Sequence, residues 1–181
     1  MRKNIFLMLT FVVIILGVII ARGIIPANAP QQNIPENGDA DNTASDLARE
    51  LYQLRNPYIG DVSANSRILS SLLSNEVSVP FHMELETRET PYVLRVIFEE
   101  MPENPAKLDS WMSGQGLMIL ALIDNADEVQ WAYPLEMGGE PVVSSARVTR
   151  EDLFTALDLA PETFQQTPEI IDLLLALKES Y

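Results

Sequence analysis

From Leu47 onward the apolar residues recur at two different spacings, and the switches between them predict the elements of a fold. Leu47, Leu51 and Leu54 fall three and four apart behind Thr43 and Asp46, a capping pattern followed by helical periodicity. Arg55-Asn-Pro-Tyr-Ile-Gly60 breaks that helix at Pro57 and Gly60. Asp61 can cap a second helix whose apolar face is Ile68, Leu69, Leu72 and Leu73. The spacing then becomes two. Phe81, Met83 and Leu85 alternate with His82, Glu84 and Glu86, and a run from Tyr92 to Phe98 follows the turn residues Glu89-Thr-Pro91. Two such runs predict an antiparallel hairpin whose second strand is the more buried.

Lys107 to Ile123 carries Leu108, Trp111, Met112, Leu117, Met118, Leu120 and Leu122, and reads as a helix despite Gly114 and Gly116. Glu128 to Pro134 alternates as a strand, Gly138-Gly139 turns the chain, and Val142 to Val148 is another strand. Thr149-Arg-Glu-Asp152 caps a helix through Leu157. Pro168 opens a last helix that Ile170, Ile171, Leu173, Leu174 and Leu177 nearly encircle. No internal repeat is present. The predicted class is α+β, an antiparallel sheet packed against helices.

The N-terminal residues follow a different pattern. Asn4 to Ala21 is one uncharged, apolar run, with Arg2 and Lys3 before it and Arg22 after it. About 17 such residues lie at the lower edge of what spans a hydrocarbon core as a helix. Ala27-Asn-Ala29 offers a signal-peptidase pattern, but Arg22, Pro26 and Pro30 fit it poorly. A retained signal anchor is therefore favoured over a cleaved signal. The basic residues before the run place the N-terminus in the cytoplasm and the remaining chain outside. Residues 23–43 hold prolines, a glycine and amides with few large apolar residues, the composition of a disordered tether. The predicted plan is thus a signal anchor or transmembrane helix over 1–22, a tether over 23–43 and an extracytoplasmic α+β domain over 44–181.

Several segments resemble a bacterial family described only as a domain of unknown function. They are Asn56-Pro-Tyr-Ile-Gly-Asp61 before a leucine-rich helix, the hairpin strand Thr90-Pro-Tyr-Val-Leu-Arg-Val96, and Ala121-Leu-Ile-Asp-Asn-Ala-Asp-Glu-Val129. The resemblance covers roughly Leu47 to Leu157. It implies an extracytoplasmic domain of a Gram-positive membrane protein behind one membrane helix. Similar domains are appended to membrane metallopeptidases of the β-lactam sensor type. The resemblance carries over no catalytic or ligand residue.

Charge narrows the partners. The formal net charge is −14, and every acidic residue lies beyond the apolar run. Such a surface disfavours nucleic acid, whose recognition rests on phosphate contacts, and disfavours anionic lipid. The chain has no cysteine, so it can carry neither a disulfide nor a lipidated thiol.

Candidate chemistry is sparse. His82 is the single histidine, so any Ser–His–acid triad would depend on it, and its strand position instead suggests a solvent-facing partner of Glu84 or Glu86. One histidine and no cysteine make a poor zinc set. Asp39, Asp41 and Thr43, with Glu50 eleven positions after Asp39, imitate part of an EF-hand loop. However, Ala44 and Asp46 stand where that loop needs glycine and an apolar residue. Asp124, Asp127 and Glu128 form a second acidic group, read as a solvated turn. Gly114-Gln-Gly116 lacks the strand and lysine of a phosphate loop and fits close packing against the sheet. Tyr58, Trp111, Trp131 and Tyr133 could line a glycan or peptide groove, although packing accounts for them equally well. No catalytic, cofactor-binding or metal-binding residue is assigned, and no cofactor is expected.

The reading that follows is a membrane-anchored binding or sensing domain without catalysis of its own. Its expected partners are the membrane, through one span, and an envelope protein or glycan. The alternative is an envelope enzyme acting on a glycan through carboxylates alone, with Glu84 and Glu86 as the pair to test.

Overall fold

The two alternating regions pair into one four-stranded sheet in the computed structural model, which describes residues 44–73 and 79–178. All described residues belong to one compact unit. The anchor expected over 1–22 and the tether over 23–43 lie outside the described residues. Among the described residues no helix is long and apolar enough to cross a membrane.

The elements run in chain order α1 (Asp46–Tyr52), α2 (Val62–Leu73), β1 (Phe81–Glu86), β2 (Val93–Phe98), α3 (Pro105–Leu122), β3 (Glu128–Met137), β4 (Glu140–Thr149), α4 (Arg150–Leu157) and α5 (Pro168–Lys178). A single 3₁₀ turn, Pro161–Thr163, precedes α5. The strands lie side by side in the order β1-β2-β3-β4. β1 and β2 pair antiparallel, with Phe81 opposite Phe98 and Glu86 opposite Val93, and β3 and β4 pair antiparallel from Glu128–Thr149 to Met137–Glu140.

The join between the two hairpins corrects the sequence-based expectation. β2 and β3 are parallel, with Val93 beside Glu128 and Ile97 beside Ala132, so the sheet is mixed rather than antiparallel. The reason lies between them. A tight turn reverses a strand, whereas an eighteen-residue helix such as α3 crosses the sheet face and returns the chain in its original direction.

Local signals set most boundaries. Asn104 accepts a hydrogen bond from the Lys107 N–H and starts α3 with proline at its first turn. Asp61 caps α2 through the Ala64 N–H, and Thr149 and Asp152 complete a reciprocal capping box on α4. The first helix is capped by Ser45, whose hydroxyl accepts from the Ala48 N–H, and not by Thr43, which lies outside the described residues. β3 and β4 extend past their predicted ends at 134 and 142 to a turn where Gly138 and Gly139 take φ of 65° and 85°. Left-handed backbone of this kind suits glycine, and it closes a two-residue hairpin.

One face of the sheet carries Phe81, Met83, Leu85, Leu94, Val96, Phe98, Val129, Trp131, Tyr133 and Val148 toward the helices. α3 lies against β3 and β4 and also touches α2, α4 and α5. Its two glycines behave differently. A methyl group on Gly116 would stand 2.4 Å from Val148 Cγ2, whereas one on Gly114 meets nothing nearer than Lys178 Cγ at 3.8 Å. Only Gly116 therefore serves close packing on the sheet.

This difference predicts opposite signs. Gly→Ala inside a helix ordinarily stabilises by about 1 kcal/mol, while overpacking costs about 1–3 kcal/mol. Gly114→Ala should raise the urea midpoint, and Gly116→Ala should lower it. Equal shifts in the two midpoints would contradict the packing of α3 on β4.

Candidate functional site

The solvent-facing side of the sheet is where the sequence placed its candidate carboxylates. Strand register brings Glu84, Arg95, Gln130 and Arg147 into one row across all four strands. Arg95 holds both candidates, donating to Glu84 at 3.2 Å and Glu86 at 2.8 Å, and its Nε donates to Gln130 at 2.8 Å. Gln130 in turn donates to Glu128 at 2.6 Å, and Arg147 closes the row on Glu128 at 3.4 Å. Partial burial works against the Arg95 charge, yet the two carboxylates outweigh it and hold the guanidinium above its ordinary range. Glu84 and Glu86 are both more than half exposed, and they share one cation on an open face. His82 sits at the end of this face, half-exposed, 3.4 Å from Glu99 and 3.9 Å from Glu84.

The second acidic group does not converge. Asp124 takes a two-pronged contact from Arg55 at 2.9 and 2.5 Å, which pushes the arginine above its ordinary range. Asp127 accepts from the Tyr92 N–H at 2.7 Å and fixes the start of β2, while Glu128 is buried on the open sheet face. Among the described residues no three histidine or carboxylate side chains gather as a metal set. Of the EF-hand imitation, Asp46 and Glu50 lie on α1, and Asp39 to Thr43 fall outside the described residues.

The four aromatic residues do not share a groove. Trp131 and Tyr133 are 1% and 2% exposed, under α3, where Asp109 accepts the indole N–H at 2.7 Å and the phenol O–H at 2.9 Å. Burial first, and then the Asp109 carboxylate, raise the Tyr133 hydroxyl above its ordinary range, partly offset by Ser144. With the buried Gln115 amide oriented to satisfy its neighbours, its oxygen accepts from Trp111 at 3.1 Å and Lys178 at 2.7 Å. Tyr58 alone is out in solvent, 58% exposed, with its ring folded over Gly60.

That ring belongs to a loop whose interior is fully satisfied. Asn56 donates to the Tyr58 carbonyl and to Asn65, both at 2.8 Å. Asn65 reaches the Ile59 carbonyl at 2.5 Å, and Asn125 accepts the Ile59 N–H at 2.7 Å. The sequence predicts a break over Arg55 to Gly60, and the three asparagines make it a rigid one. Another unforeseen residue is Arg150. Its guanidinium donates to the carbonyls of Leu120 in the last turn of α3 and of Ile123 and Ala126 beyond it, and burial lowers its pKa from the ordinary arginine value.

A groove runs between α1 and α5, lined by Ser45, Leu47, Asp172, Leu173 and Ala176. Asp172 is already engaged. It accepts the Ser45 hydroxyl at 2.6 Å and the Ser45 N–H at 3.0 Å, which hold its carboxyl below the ordinary range. Leu47 and Leu173 are 53% and 51% exposed beside it.

Residues 51–142, just over half the chain, match the model of a family described as a domain of unknown function, DUF4825. The chain belongs to that family. No curated relative and no solved structure matches it. The DUF4825 segment begins at the last turn of α1 and ends inside β4, so it contains α2, both strands of the first hairpin, α3 and β3. The charged row and the Asn56 loop fall largely within it. The α1–α5 groove lies almost wholly outside it.

The arrangement around Asp109 gives a direct test. Asp109→Ala would leave the indole N–H and phenol O–H of two buried rings without their acceptor, at a cost of about 2–4 kcal/mol. Asp109→Asn keeps one acceptor and should recover part of that loss. Urea denaturation followed by tryptophan fluorescence reads both. A loss below about 0.5 kcal/mol for the alanine variant would show that the bonds do not hold the rings.

Proposed function

We propose that residues 44–181 are a binding or sensing domain without catalysis of its own, carried outside the cell by a signal anchor over residues 1–22. The resemblance that favours a Gram-positive membrane setting, the apolar run and the basic residues Arg2 and Lys3 support the location. The observation that carries the non-catalytic part is the state of the candidate carboxylates. Glycan hydrolysis by paired carboxylates needs one acid shielded from solvent across a cleft. Glu84 and Glu86 instead lie on an open sheet face and share Arg95. This leaves the alternative of a carboxylate-dependent envelope enzyme with less support. The partner is an envelope protein or a glycan, reached by a surface of fixed charge pairs rather than by a deep pocket.

Two measurements address these claims separately. A reporter fused after Tyr181 and active only outside the cytoplasm should be active, with the protein sedimenting with membranes. Activity of a cytoplasm-only reporter instead would reverse the topology. Replacing His82 by Ala should shift stability by less than about 0.5 kcal/mol, as surface substitutions usually do, and leave any phenotype of the protein intact. Loss of that phenotype at an unchanged Tm would restore the catalytic reading, because removing a general base costs on the order of 10² to 10⁴ in rate.

A further inference from the structure

We propose that α1 is a releasable latch, which lifts from α5 by local opening while the β2–α3–β3 centre stays folded. The proposal does not depend on where the chain is anchored. α1 has seven residues, too few to persist as a helix without packing. The buried apolar side chains from Ala44 through the end of α1 are Ala44, Ala48 and Leu51, only one of them large, and Leu47 is turned to solvent. Opposite it α5 buries Ile170, Ile171 and Leu174.

Polar fastenings are found at both of its ends. At the start, the Asp172 carboxylate takes both the hydroxyl and the N–H of Ser45, so one side chain secures the helix cap to α5. At the end, the Tyr52 hydroxyl donates to the Gln166 carbonyl at 2.9 Å. Just beyond, Arg55 is clamped on Asp124, and the Asn56 N–H and carbonyl bridge Leu122 and Asp124. Those bonds fix the chain to the end of α3, so opening stops there and the hinge falls at Gln53 and Leu54. Low-stability units of this kind open without global unfolding. Release would expose the part of α5 that α1 covers, beside the already exposed Leu173.

Hydrogen exchange on the full chain in detergent micelles tests the latch. Amides of residues 46–52 should exchange faster than those of 108–122. Asp172→Asn should speed exchange in 46–52 about ten-fold, the equivalent of losing one charge-assisted bond, and leave 108–122 unchanged. Because the chain has no cysteine, Ser45→Cys with Asp172→Cys can be oxidised to lock the latch, and the lock should slow 46–52 toward the rate of 108–122. Exchange of both segments at one rate in the unmodified protein would overturn the proposal. So would an Asp172→Asn effect spread equally over both segments, or an oxidised lock that leaves 46–52 unaltered.

Discussion

The burial of α3 is the constraint on which the other elements depend. The helix touches the sheet through β3 and β4, and it touches α2, α4 and α5 as well. Met112, Gly116, Ile119, Leu120 and Leu122 are all buried on it, so it has little face left for water. A helix enclosed in this way cannot leave its terminal carbonyls to solvent, and an unpaired buried carbonyl is costly. Arg150 answers that need by donating to Leu120, Ile123 and Ala126. The Asn56 N–H donates to the Leu122 carbonyl at 2.8 Å. Thus a residue from the start of α4 and another from the loop before α2 are both committed to the same helix end. The positive guanidinium also suits the negative pole of α3.

The sheet solves the opposite problem, because among the described residues the helices pack on one of its faces only and β1 and β4 form its edges. On the open face the charges pair among themselves across the strands, a register that opposite-charge and amide pairs favour. Along the projecting part of the second hairpin the defence is proline. Beyond Ala132 the β3–β4 hairpin has no β2 beside it, so Pro134 lies on one free edge and Pro141 on the other. A strand proline is tolerated where its missing N–H points away from the ladder, and there it denies a donor to any incoming strand. Val142 and Val143 can therefore be exposed at the edge without offering a continuous template.

Much of this architecture was legible in the chain because it rests on local pattern. The spacing of Ile68, Leu69, Leu72 and Leu73, the alternation of Phe81 to Glu86 and the Thr149–Asp152 box each act within one element. The parallel join of β2 and β3 was not legible, since Val93 to Phe98 is apolar enough to be buried with either neighbour orientation. Pro134 and Pro141 likewise disguised the length of the second hairpin, because a proline inside an alternating run reads as its end. The site was harder still. Asp109 meets Trp131 and Tyr133 across 22 and 24 residues of chain, and nothing in its immediate surroundings singles it out from a solvated aspartate. Glu84 and Glu86 were visible as a pair. Their common partner Arg95 lay in plain view on the next strand, but only register could say that it stood between them and the solvent chemistry they suggested.

These constraints divide the molecule by how firmly each part is held. The segment from Asn56 through β3 is cross-linked by buried amides, a capped central helix and a strand ladder, and it coincides closely with the DUF4825 region. The first helix relies instead on α5, through Ser45, Asp172 and the short apolar face of Ala48 and Leu51, while α5 is also packed on α3. Stability in a domain follows buried apolar contact and enclosed backbone bonds, so adaptability concentrates where those are fewest. A rigid centre with a looser terminal pair is an arrangement in which binding at the surface can shift a local equilibrium without disturbing the fold. Such a shift requires only that the ligand prefer one state of the pair over the other.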